Sequence, residues 1–201
     1  MKSKWTIPAV IIGAILLIGL IIGGMYNSLV SGRESVRTAF SNVQTQYQRR
    51  ADLIPNLVST VKGSANFEQT TLQQVIDARA KATGITVNAD NPQQVKDFIA
   101  AQQGVTSSLG RLIAVAENYP DLKASAAYRD LMTQLEGTEN RIQVARSDYN
   151  QAAQPYNTKI QSFPTNLFAG MFGFTRMEPF AADAGAGSVP KVDFGTGGVA
   201  P

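Results

Sequence analysis

The string Arg49-Arg50-Ala-Asp-Leu-Ile-Pro-Asn56 places two guanidinium groups inside a segment that is otherwise apolar at every helical turn. A second string, Leu135-Glu136-Gly-Thr-Glu139-Asn140-Arg141-Ile142, does the same with carboxylates, and Thr138 and Glu139 fall where an apolar residue is due. These residue types offer a buried ion pair, carboxylate catalysis or metal ligation. An arginine on a packed seam needs a carboxylate partner, and a planar two-pronged pair is the usual solution. The pattern therefore predicts that Arg49 or Arg50 pairs with Glu136 or Glu139 across the interior, in a structural role that fixes register. Glu136 and Glu139, at i and i+3, share a helix face as two metal ligands would. With arginines at hand and no histidine, neutralisation by arginine accounts for them better than a metal does.

The chain has no His and no Cys. That removes Ser-His-Asp and Cys-His nucleophile systems, zinc sites with nitrogen or sulfur ligands, and the Glu-x-x-His ligation of di-iron bundles. Catalysis would have to rest on Asp, Glu, Lys or Ser alone. No catalytic residue, cofactor or metal is expected. The net charge is +3, from 18 basic and 15 acidic residues. No like-charge run exceeds Arg49-Arg50, and no aromatic-basic interleaving occurs, so nucleic-acid binding has no support.

What must position these groups is helical. Val36, Phe40, Val43, Tyr47, Ile54, Leu57 and Val61 recur at heptad-like spacing, and Arg50 fills the one skipped position. No Gly or Pro interrupts residues 34–53. Pro55 lies inside the pattern and predicts a kink near residues 51–54, not a stop, because Leu57 and Val61 keep the phase. A second helix is expected over 67–82, capped by Asn66, with Leu72, Val75, Ile76 and Arg79 on one side. A third begins at Pro92 with Asn91 as cap and carries Val95, Phe98, Ile99, Gln102, Val105, Leu109, Leu112, Ile113 and Ala116 to a stop at Tyr119-Pro120. A fourth, starting at Asp121 or Ser125, carries a stripe from Tyr128 through Ile142, Tyr149 and Tyr156 to Phe163, with Pro155 inside it. About four helices with short connections make an all-α antiparallel bundle. Six of the nine phenylalanines lie at or after Phe163. The Phe-rich segment 163–174 is either a cap on the end of the bundle or an apolar patch that touches lipid or a neighbouring subunit. From residue 181 the chain is mostly Ala, Gly, Ser and Pro, and a flexible tail is expected there.

The bundle is tied to a membrane. Ile7–Met25 is 19 residues without a polar side chain. A helix of that length covers about 30 Å, the thickness of a bilayer's hydrocarbon core. The apolar run is too long for a cleaved signal peptide, and its end lacks an Ala-x-Ala site. The expected division is a basic start at 1–6, a spanning helix at 7–28, a bundle at 29–180 and a tail at 181–201. Trp5 and Tyr26 bracket the span as interfacial aromatics do. The positive-inside count nearly cancels, since Lys2 and Lys4 precede the span while Arg33 and Arg37 follow it. The start resembles an uncleaved export signal, which favours the body outside the cytoplasm.

Long strings resemble the bacterial LemA family. They include Tyr26-Asn-Ser-Leu-Val30, Gln46-Tyr-Gln-Arg-Arg-Ala-Asp-Leu-Ile-Pro-Asn-Leu57 and Glu117-Asn-Tyr-Pro-Asp-Leu-Lys123. Leu135-Glu-Gly-Thr-Glu-Asn-Arg-Ile142, Ala145-Arg-Ser-Asp-Tyr-Asn150, Tyr156-Asn-Thr-Lys-Ile160 and Phe172-Gly-Phe174 continue it. The resemblance covers about residues 25–180. It implies a helical bundle behind an amino-terminal anchor, and it carries no active site. It also implies a short external amino terminus with the body in the cytoplasm, against the export-signal reading. The function expected is a non-enzymatic, single-pass scaffold or assembly protein at the bacterial cell membrane. Its partners would be the lipid bilayer, a second copy of the chain, or another membrane protein. The alternative is an accessory component of membrane signalling or stress sensing, with Pro55 as a hinge.

Overall fold

A computed structural model describes residues 6–63 and 67–181. Its regular structure is helical throughout the described residues. Helix α1 runs unbroken from Thr6 to Lys62, 57 residues or about 85 Å. From Pro8 to Ile21 every one of its side chains is exposed, and this portion is long and apolar enough to cross a membrane. Burial begins at Leu29 and then follows the heptad-like stripe through Val36, Phe40, Val43, Tyr47, Ile54, Leu57 and Val61. One helix thus changes from an all-round apolar surface to a one-sided stripe.

The chain returns in α2, Gln69–Thr83, rises again in α3, Pro92–Ala116, and turns through the short α4, Pro120–Ala124. It comes back along α1 in α5, Ala126–Gln161, and ends in the short α6, Asn166–Ala169. Four long helices therefore form the bundle, with α1 and α5 packed along their lengths. Local chemistry sets the ends. Asn91 accepts hydrogen bonds from the amides of Gln93 and Gln94, with Pro92 in the first turn. Ser125 accepts one from the Tyr128 amide and starts α5. Helix α2 starts two residues later than the pattern suggests. Phe67 lies outside it, buried with its ring 5.0 Å from that of Tyr119, and the expected Asn66 cap falls outside the described residues. Ile76, expected on the inner side of α2, is exposed; Leu72, Val75 and Ala82 make the buried stripe instead.

Two apolar clusters form the core. The proximal one joins Leu29 to Tyr47 of α1 with Phe98 of α3 and Ile142 to Ile160 of α5. The distal one joins Ile54 to Val61 with α2, the upper part of α3 and Tyr128 to Leu135. At the proximal end α1 and α5 approach closely at Gly32, where a Cβ would lie 3.2 Å from Tyr156 Cδ2.

Candidate functional site

Arg50 lies where the two apolar clusters meet and is only 2% exposed. Its Nη1 donates to Thr106 Oγ1 at 2.9 Å and to Glu139 Oε2 at 3.1 Å. Its Nη2 donates to the Gln102 backbone oxygen at 3.1 Å and to Gln102 Oε1 at 2.7 Å. The guanidinium also stacks over the Tyr47 ring at 5.0 Å. One side chain thus joins α1, α3 and α5 in a polar layer across the bundle. The carboxylate contact is single-pronged, unlike the planar pair the sequence suggests, because two of the four bonds go to Gln102 and one to Thr106. Thr138, beside Glu139, is buried and satisfies its hydroxyl on the Gln134 carbonyl at 2.7 Å. Arg49 lies on the exposed face of α1, and Glu136 is exposed on α5; neither joins this cluster.

Pro55 frees the carbonyl of Ala51, four residues back, from its helical partner. Arg79 Nε of α2 donates to that oxygen at 2.7 Å. The proline is thereby accommodated in a helix that stays continuous, and α2 is tied to α1 at the point of weakness.

The proximal half uses an extended strap, residues 174–181, where the distal half has α2. Its Phe174, Met177 and Phe180 are buried. Two Tyr-Asn pairs of α5, seven residues apart, hold it. Asn157 accepts from the Met177 amide at 2.9 Å and donates to the Met177 carbonyl at 2.8 Å. Asn150 does the same at Phe180, at 2.9 and 2.8 Å. The hydroxyls of Tyr149 and Tyr156 donate to the carbonyls of Glu178 and Thr175 at 2.8 and 3.0 Å. Burial pushes both phenols above their ordinary value of 10.0, Tyr149 most strongly. Asp90, in the turn before α3, pairs with Arg37 of α1, and its carbonyl accepts from Thr175 Oγ1 at 3.2 Å. The hydrogen bonds that Arg37 donates to the Asp90 carboxylate raise its guanidinium above the ordinary arginine value.

Beyond Phe180 the slot between α3 and α5 continues as a shallow cleft past Gln102, Thr106 and Glu139. It then opens into a groove of about 830 Å³ between the distal parts of the two helices. Leu109, Ile113, Tyr128, Met132 and Leu135 line it, and Arg50 and Glu139 close its lower end. Among the described residues no group of three or more acidic side chains is placed to hold a metal ion. Residues 39–194 match the LemA family. The chain belongs to the LemA family. It is 31% identical over 188 residues to magnetosome protein MamQ 2 of Paramagnetospirillum magneticum, covering 83% of this chain and 68% of that one. It is 29% identical over 186 residues to magnetosome protein MamQ of Magnetospirillum gryphiswaldense, with the same coverage. Protein LemA of Metamycoplasma hominis is 30% identical over 173 residues, covering 86% of this chain and 74% of that protein.

In this LemA-family chain Tyr26 is exposed where α1 leaves its apolar stretch, and its ring meets those of Phe172 and Phe174 edge-on at 5.3 and 5.6 Å. Trp5 and the residues after 181 lie outside the described part. The Phe-rich segment divides: Phe174 joins the core, while Phe163, expected on the inner stripe of α5, is 80% exposed. The LemA domain also holds residues the sequence reading missed. The Tyr149-Asn150 and Tyr156-Asn157 repeat is visible in the chain, but tyrosines at heptad spacing read simply as core. Gln102 lies on the α3 stripe with nothing in the sequence to mark its role, and Thr106 carries no signal there.

Proposed function

We propose that this protein is a non-enzymatic, single-pass membrane-anchored scaffold that self-associates or docks a partner near the bacterial cell membrane. The observation that carries the proposal is the groove between α3 and α5. It is apolar, open along one side, and lies in the half of the bundle remote from the exposed apolar part of α1. The run of α1 from Met25 to Arg50 sets it roughly 40 Å from the end of that stretch. A rigid bundle that leaves one inter-helix slot unfilled has the shape to receive another helix. The relatives named magnetosome protein MamQ support a place at a membrane.

Photo-crosslinkers at Ile113 and Met132, in the protein held in mild detergent or native membrane, test this. Crosslinked dimers or a defined heterocomplex should form from these positions and not from Asn42, on the polar face of α1. Native mass spectrometry should show the same stoichiometry. A strictly monomeric protein, crosslinked to nothing from the groove, would overturn the proposal. Reporters fused after Pro201 read the side of the membrane that the body occupies.

A further inference from the structure

The proximal end of the bundle exposes large apolar side chains that the core does not need. Phe163 and Met171 are each 80% exposed, and Leu167 and Phe172 are also open. They belong to the turn after α5, to α6 and to the turn that follows it. The position of this patch along α1 is fixed by contacts. Lys159 reaches Ser28, and Tyr156 abuts Gly32, so α5 runs antiparallel to α1 in a constant register. That register puts Gln161, the last residue of α5, level with Tyr26 and Asn27, so Phe163, two residues on, lies near the end of the apolar stretch at Met25. The contact of Phe172 with Tyr26 places the far side of the patch at the same height.

Charge at this end is one-signed. No acidic residue occurs between Asp148 and Glu178, nor before Glu34. The exposed cations there are Lys159 and Arg176, the latter beside Gln161 and Ser162. An exposed apolar patch rimmed by cations and free of carboxylates, continuous with a membrane-spanning helix, matches an interfacial lipid contact. We infer that Phe163, Leu167, Met171 and Phe172 insert into the headgroup–acyl boundary of the bilayer that α1 spans. The body then has two membrane contacts, the span and this foot, which together fix its tilt. A single helix alone leaves rotation about the exit point free. The inference rests on the reading of α1 as a span and is independent of what the groove binds.

The test uses the full-length chain in nanodiscs of mixed neutral and anionic lipid, one copy per disc. Trp5→Phe removes the sole tryptophan, and Phe163→Trp or Met171→Trp then reports from the foot. Lipids brominated near the headgroup should quench emission from both positions several-fold, and lipids brominated at the chain ends should quench less. Val144→Trp, on an exposed part of α5 above the foot, should stay unquenched. Water-exposed, unquenched emission from the foot would overturn the inference. So would shielding that develops only when two copies share a disc, since that makes a second copy the occupant. A chain that fails to enter discs at all would overturn the spanning helix first, and the foot with it.

Discussion

At the scale of single residues, Arg50 shows how a charge can sit inside an apolar seam. Its four hydrogen bonds replace the water it gives up, and three of its acceptors are uncharged. Arg50→Ala leaves Gln102 Oε1 without its donor inside the bundle, while the Gln102 backbone oxygen keeps its bond from Thr106 Oγ1, so we expect a loss of about 1–3 kcal/mol in chemical denaturation. Glu139 has a side chain 38% exposed, and solvent screens its share. Glu139→Ala takes the carboxylate from a buried guanidinium that keeps its three uncharged acceptors, and should cost about 1–2 kcal/mol. The two changes should be non-additive by at least about 0.5 kcal/mol in a double-mutant cycle, and additivity would sink Glu139 as the partner. The need for a partner was legible from Arg50 occupying a skipped apolar position. The identity of the uncharged partners was not, because a Gln on a buried stripe and an exposed Thr beside it carry no mark of what they accept from.

At the scale of elements, the strap replaces a helix in half the bundle and is held by groups on α5. Its buried residues Phe174, Met177 and Phe180 recur every third position, and its amides and carbonyls bond to side chains of α5. Each asparagine amide serves one strap residue twice. Asn150→Ala or Asn157→Ala should therefore speed amide exchange at Phe180 or Met177 by about tenfold or more, at a cost of about 1–3 kcal/mol. Exchange in the α1 seam at Val36 and Val43 should change little. Alkali should act on the same element. The folded phenols of Tyr149 and Tyr156 titrate above 10.0. Above that value the unfolded chain loses those protons first, so stability is full below about pH 10 and falls as pH rises through the folded values. Tyrosinate absorbance and strap exchange should rise together in an alkaline titration. If these two tyrosines titrate with the exposed ones, the hydroxyl bonds are not holding the strap. Helices betray themselves by a 3.6-residue period. An extended strap whose register is set by another element has no such signature, so the sequence shows Phe174 only as the end of the Phe-rich segment 163–174 and does not mark Met177 or Phe180 as core.

At the scale of the whole molecule, α1 is one rod with two kinds of surface, apolar all round and then striped, and the boundary lies between Met25 and Leu29. The heptad-like stripe made the bundle half legible, and the uninterrupted apolar run made the other half so. The foot was harder to place. An apolar residue meant for lipid and one meant for a core look alike in a sequence, and Phe163 even continues the phase of α5. Only the register of α5 on α1 shows that this position passes the end of the core. The same boundary predicts how stability is divided. None of the side chains from Pro8 to Ile21 is buried, whereas Leu29 begins the proximal cluster. Removing residues 1–25 should therefore leave the hydrophobic core intact and the unfolding cooperative, with Tm changed by only a few degrees. Removal through Val36 takes Leu29 and Val36 out of the core. Burial of such side chains contributes about 1.5–3 kcal/mol each, so this longer truncation should lower Tm by ten degrees or more. The shorter form should stay soluble only if Phe163→Ser and Met171→Ser are added, because the foot otherwise remains exposed to water. Thermal melts of the two truncations, each with and without those substitutions, separate the contributions. A large loss of Tm in the shorter form would mean that the apolar stretch packs on the bundle and does not stand apart from it.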